Sequence, residues 1–187
     1  HYNYVRQLAA GTFPVIEPGD YDQGYLETVL GSRFDPQYDV EPIEYEDWQP
    51  PLYYLLQTPV FWISSGSLTA MRLFSIALGA GAIYLAYATV RRLFPDQWWV
   101  AATTAVFIAF LPQHLTMLAS VNNDSLAELL IAAILFVLVR LLEIEDWGLV
   151  LSEAEGSESG RRHLIALGLL LGLGFLTKAF VYLMAPV

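Results

Sequence analysis

Arg72, His114, Asp124 and Lys178 each stand within or at the edge of a different apolar run. An ionisable group in such surroundings is expensive and commonly has a partner or a task. Glu128 follows Asp124 by one helical turn and shares its helix face. Acidic groups beside basic ones suit a ligand with an apolar anchor and an anionic head. Lys and Arg would hold phosphate, and a carboxylate could orient a divalent metal ion or activate a hydroxyl. Each residue also has a plainer reading. Asp124 can act only as a helix cap, Glu128 as the partner of a cation, and Arg72 as a side chain snorkelling to the interface. His114, just after Pro112-Gln113, can mark a helix break. Lys178 resists such a reading, because Leu176-Thr177-Lys178-Ala179-Phe180 is apolar on both sides of it. The sequon Asn123-Asp124-Ser125 lies too close to an apolar run to be a good glycan acceptor.

The runs that must position these groups define the fold class. The chain has 187 residues, is 56% hydrophobic, and has a mean hydropathy of +0.46. Four stretches, about 68–90, 97–119, 125–142 and 163–185, approach the roughly 20 apolar residues that cross a bilayer. An all-α, multi-spanning helical membrane protein is therefore expected. Arg91 and Arg92 follow the first run, and Arg140, Arg161 and Arg162 flank the loop 143–162, which puts these ends in the cytoplasm. The acidic loop itself ends in a flexible, Gly- and Ser-containing composition. At about 1.5 Å rise per residue, His114 lies roughly 25 Å from the cytoplasmic start of its run, and Lys178 a little over 20 Å from the start of the fourth. With Arg72 and Asp124 at the outer ends of theirs, the four groups are expected to share one layer near the external face.

Residues 1–67 form the expected external loop. They hold ten acids but only Arg6 and Arg33, a balance that fits a solvated surface and speaks against nucleic acid. His1 to Ala10 reads as a short helix ended by Gly11, and 12–47 as irregular chain with short turns. Residues 50–64, from Pro50 to Ser64, are apolar and aromatic but too short to span, so they are expected to lie in the interface as a juxtamembrane helix. The Pro50-Pro51 pair would be its starting corner. Gly79, Gly81, Gly168, Gly172 and Gly174 read as packing positions, the GxxxG spacing of Gly168 and Gly172 included. The absence of cysteine excludes a disulfide framework and a thiolate metal site. No repeat of fixed period is visible. The polar beginning without Met and the apolar Ala185-Pro186-Val187 ending read as a fragment of a longer chain.

The blocks HYNYVRQLAAGTFPV, YEDWQPPLYYLL, MRLFSIALGAGAIYLAYATVRRLFP, FLPQHLTMLASVNNDSLAELL and GLLLGLGFLTKAF, in this order, resemble the N-terminal part of the GT-C glycosyltransferases. The similarity is to prokaryotic relatives of the dolichyl-phosphate-mannose-protein mannosyltransferases and of the lipid A aminoarabinose transferase. The resemblance implies a GT-C-like fold in the plasma membrane and a polyprenyl-phosphate sugar donor. It also implies a glycan, lipid or protein acceptor and an active site on the external face among membrane lipids. It assigns Asp124 to the acidic position associated with the active site or its metal, a divalent ion. Together with the polar residues singled out above, His1, Gln49, Arg72, His114, Glu128 and Lys178 are candidates for contact with the donor phosphate or substrate. Where some members have Glu-Lys-Pro, this chain has Trp48-Gln49-Pro50. The general base is expected in an Asp-Glu pair just ahead of the segment resembling His1-Tyr2-Asn3-Tyr4. The implied reaction is displacement at the anomeric carbon with inversion. Two other classes compete: a transporter or flippase of lipid-linked sugars, whose sites lie nearer the midplane at broken helices, and an inactive scaffold of the same fold.

Overall fold

The computed structural model describes residues 1–15, 17, 20, 22–44, 46–143 and 158–178. Among them are eight helices and no strand: α1 (Tyr2–Ala9), α2 (Gln23–Gly31), α3 (Leu52–Ile63), α4 (Leu68–Leu93), α5 (Trp98–Ala109), α6 (Pro112–Leu118), α7 (Asp124–Leu142) and α8 (Glu158–Phe175). The helical membrane architecture follows from composition. α4 and α7 are long and apolar enough to cross a membrane, and α5 with α6 makes a third crossing if the bent pair is one span. α4 begins where the Ser67 hydroxyl accepts from the Ala70 N–H, and it carries Arg91 and Arg92 in its last turn, against the negative end of the helix dipole. α7 likewise starts on Asp124 and carries Arg140 in its last turn. α4 packs on α7 and α5, and α7 packs on α8. Phe107, Phe110, Leu73 and Leu169 point outward, as lipid-facing side chains do.

Close packing depends on Gly79. A Cβ there would lie 2.3–2.9 Å from the Leu118 side chain, so any larger residue at this position would force Leu118 to repack. At Gly168 and Gly172 nothing lies within 4 Å of the Cβ position, so that GxxxG pair meets no described neighbour.

The expected run 97–119 is not one straight helix. α5 and α6 meet at 64°. Pro112 has no N–H to continue the ladder, and Leu111 before it is extended, with φ −68 and ψ 116. His114 is therefore not at the end of a straight rod, and the depth estimate built on one does not hold for it. The expected fourth run continues past Lys178 and the expected loop 143–162 runs through 144–157, both outside the described residues, while 158–162 of that loop form the start of α8.

Residues 1–67 contain more helix than expected. α1 and α3 lie where a short helix and an interfacial helix were read, with Pro51 at the N-cap of α3. The region 12–47, read as irregular, holds α2, whose N-cap Asp22 accepts from the Tyr25 N–H at 2.9 Å and whose Val29 is fully buried. Gly24, Thr28 and Val29 are weak helix formers, so this helix depends on its cap and on burial. α3 is turned inside out for a soluble protein. Tyr53, Tyr54, Gln57 and Thr58 are buried, whereas Leu55, Leu56, Trp62 and Ile63 are exposed. That is the arrangement of a helix resting its apolar side on lipid. α1 packs on α3, and Tyr4, Val5, Tyr53 and Tyr54 join Met71, Val121, Leu126 and Leu130 in one core that ties the loop to α4 and α7.

Candidate functional site

The start of α7 is the centre of a polar layer. Asn122 and Asp124 bond reciprocally: the Asp124 N–H donates to Asn122 Oδ1 at 3.1 Å, and Asn122 Nδ2 donates to Asp124 Oδ2 at 3.0 Å. The other carboxylate oxygen, Oδ1, receives the Lys178 ammonium. Asp124 is therefore the first residue of α7, after the N-cap Asn123, and its carboxylate makes an ion pair in place of the helix-capping bond foreseen for it. The two side chains keep 15% and 28% of their surface, so the pair is reachable from outside.

Lys178 is positioned by the two residues before it. The Leu176 carbonyl accepts from the Leu52 N–H at 3.0 Å, and the Thr177 carbonyl accepts from Asn123 Nδ2 at 3.1 Å. The same Asn123 nitrogen donates to Gln49 Oε1 at 3.1 Å, and Gln49 Nε2 donates to Glu46 Oε2 at 3.0 Å. The end of α8 is thus fastened to α3, to the turn before α7 and to α7 by three consecutive residues. Asn123 is 1% exposed, and its Oδ1 has no hydrogen-bond partner among the described residues.

His1 and Gln49 enter this layer from the loop side. His1 Nδ1 lies 2.8 Å from the Tyr54 hydroxyl, and Nε2 lies 3.5 Å from Glu46 Oε1. Tyr54 stacks on Tyr4 with ring centroids 3.9 Å apart. Burial, reinforced by Asp47, pushes the Tyr4 hydroxyl up to about 12, and burial raises Tyr54 in the same direction. Both phenols are thus neutral hydrogen-bonding groups at physiological pH. Beneath them the Tyr53 oxygen accepts from Gln57 Nε2 at 2.8 Å and from the Asn122 N–H at 3.0 Å. Its own proton is therefore directed to Ser75 Oγ, 2.7 Å away.

Of the four ionisable groups expected to converge, Asp124 and Lys178 pair with each other, His114 pairs instead with Glu128, and Arg72 stands apart. His114 on α6 meets Glu128 on α7, with Nε2 and Oε2 2.9 Å apart. The pair borders a cavity of about 220 Å³ with apolar walls between α4, α5 and α7, and His114 Nδ1 is buried without a partner among the described residues. Arg72 is exposed on α4 and forms no ion pair among the described residues. Sequence reasoning passed over Asn122, Asn123, Glu46 and Tyr53. A run of two asparagines before a helix reads as turn chemistry, and only the fold shows what their amides hold.

A divalent ion does not fit these residues as they stand. No three His, Asp or Glu side chains converge among the described residues, and the charge that balances Asp124 is the Lys178 ammonium. What the layer offers is a cation held by a carboxylate at the end of a helical bundle, roofed by a loop and bordered by a helix with an apolar outer face. That arrangement can hold an anionic headgroup whose tail lies in lipid.

Nothing matches this chain among the curated proteins or among the solved structures. The family model described as dolichyl-phosphate-mannose-protein mannosyltransferase matches residues 48–187, a stretch that takes in Gln49, Arg72, His114, Asp124, Glu128 and Lys178. With most of its length covered and its helices apolar enough to cross a membrane, the chain belongs to the dolichyl-phosphate-mannose-protein mannosyltransferase family, membrane glycosyltransferases of the GT-C type.

Proposed function

We propose that this chain forms the donor side of a glycosyltransferase that moves a sugar from a polyprenyl phosphate to an acceptor at the external face of a prokaryotic plasma membrane. The observation that carries the reading is the Lys178–Asp124 pair, set beneath the loop and beside α3. Lys178 binds the donor phosphate, and Asp124 holds the ammonium in place. The outward apolar side of α3 borders the polyprenyl tail, and the acidic loop faces the water-borne part of the acceptor. In the reaction an acceptor oxygen forms a bond to the anomeric carbon as the carbon–oxygen bond to phosphate breaks. The acceptor proton goes to a carboxylate base, which the resemblance puts ahead of His1, and the lipid phosphate departs with its charge balanced by Lys178. Gln49 and His1 shape the loop side of this space, while His114 and Glu128 brace α6 against α7.

The test is transfer of labelled sugar from a panel of polyprenyl-phosphate donors by the full-length protein, compared with Lys178→Met and Asp124→Asn. Transfer by the wild type that is lost in both folded variants supports the reading. Undiminished transfer by the Lys178 variant refutes the role given to the pair. The 64° break between α5 and α6 supports a second reading, a transporter of lipid-linked sugars, since transporter sites lie at broken helices. Donor crossing a vesicle membrane with its sugar still attached would select that one.

A further inference from the structure

The opposite end of α4 carries a second site. Tyr84, Tyr87, Ala88 and Arg91 recur at the three- and four-residue spacing of one helix face. Together with Arg92 and with Phe136 of α7 they line a cavity of about 350 Å³ in the side of the bundle. The two arginines there are not equivalent. Arg92 donates to Glu143 at 2.9 Å and lies 5.3 Å from the centre of the Phe136 ring, so its charge is balanced and its position fixed. Arg91 donates one N–H to the Pro95 carbonyl at 2.8 Å and pairs with no carboxylate among the described residues. Its guanidinium has four further N–H donors in a planar fork, the geometry that matches a phosphate.

From this geometry we infer a binding site for the headgroup of an anionic phospholipid between α4 and α7. Arg91 takes the phosphate. Tyr87, four residues or about 6 Å deeper along the helix, meets the level of the glycerol ester oxygens. Ala88 leaves room beside it, and Phe136 and the ring of Tyr84, 68% exposed, flank the first methylene groups. An arginine at the end of an apolar span, with no carboxylate partner among the described residues, is a group to which an anionic headgroup at the membrane boundary is drawn. A free phosphate would use Arg91 alone. The tyrosines and the apolar wall are useful only to a lipid.

The experiment is thermal unfolding of the full-length protein in mild detergent with added phosphatidylglycerol, phosphatidylcholine or inorganic phosphate, together with retention of phosphatidylglycerol through purification. Phosphatidylglycerol is expected to raise the unfolding midpoint well above the effect of phosphatidylcholine, and inorganic phosphate to leave it unchanged. Arg91→Gln, which spares the Arg92–Glu143 pair, is expected to weaken phosphatidylglycerol binding by about tenfold or more, and Tyr87→Phe by about threefold. Should Arg91→Gln not fold, Tyr87→Phe removes a single oxygen and gives the same readout. Equal response to the two lipids would overturn the inference, as would unchanged binding in the folded variants. Full competition by inorganic phosphate would also overturn it, by showing a site for a free anion.

Discussion

Lys178 and Asp124 meet as an ion pair although 54 positions separate them, one at the end of α8 and the other at the start of α7. Removal of either partner breaks this pair and leaves one of its charges in place, whereas removal of both removes both charges together. Lys178→Met and Asp124→Asn are each expected to lower turnover by about 10²-fold, the loss typical of one group that stabilises a developing negative charge. In a double-mutant cycle the two changes should couple by about 1–3 kcal/mol in stability. Strict additivity would mean that the two side chains act independently.

Asn123 holds two elements with one nitrogen, donating to Gln49 on the loop and to Thr177 beside Lys178. Asn123→Ala is expected to cost about 1–3 kcal/mol, since a buried carbonyl and a side-chain amide both lose their donor. Hydrogen exchange at the Leu52 amide, whose acceptor is Leu176, should quicken in the same variant. A change confined to Asn123 itself would show that the loop is docked by apolar contact alone.

Gly79 sits against Leu118 with no room for a methyl group. Gly79→Ala is expected to destabilise the bundle by about 1–3 kcal/mol, because the Leu118 side chain must repack. Gly172→Ala, with open space around it, should be neutral or slightly stabilising. The comparison is read from unfolding midpoints in one detergent, and equal effects would contradict the close approach of α6 to α4.

Asp47 gives the loop a pH dependence of unusual sign. It is only 8% exposed, and burial pushes its carboxyl above the ordinary 3.8, with Gln7 pulling the other way and Glu44 and Asp20 adding to the rise. The folded loop thus keeps its proton at pH values where the unfolded chain has released it. The stabilisation is complete below 3.8 and is lost as pH rises through the folded value. Exchange at α1 amides, corrected for the intrinsic rate, should show the loop tightening as pH falls through the raised value of Asp47 towards 3.8. Asp47→Asn should remove most of that trend while raising protection at neutral pH, and an unchanged trend would assign it to another group.

What could be read from the sequence followed from strong physical signals. A span of α4's length and apolarity has few alternatives, Pro51 marks the start of α3, and Gly11 ends α1 with φ +86. α2 was missed because Gly24, Thr28 and Val29 dilute the helix signal of Gln23, Leu26, Glu27 and Leu30, and its cap Asp22 is one acid among many in the loop. The polar layer was legible only in part. Ionisable residues in apolar runs announced themselves, and the fold brings Lys178 to Asp124 and His114 to Glu128. Nothing in the sequence distinguishes the exposed Arg72 from the others, since that depends on which face of α4 meets α7. The part played by Asn122 and Asn123 rests on long-range partners, which local sequence does not encode.

The fastening of Leu176, Thr177 and Lys178 to three separate elements also orders events during synthesis. The loop and α3 are made early, but Leu52 finds its acceptor only when Leu176 arrives. About 120 residues must be added in the interval, roughly 6–25 s at ordinary elongation rates. Until then Asp124 has no ammonium beside it and Gln49 shares Asn123 with no other acceptor. A nascent chain would pass through the membrane machinery with its helices in place and this polar layer unassembled, so that the Lys178–Asp124 pair is completed in a single late step.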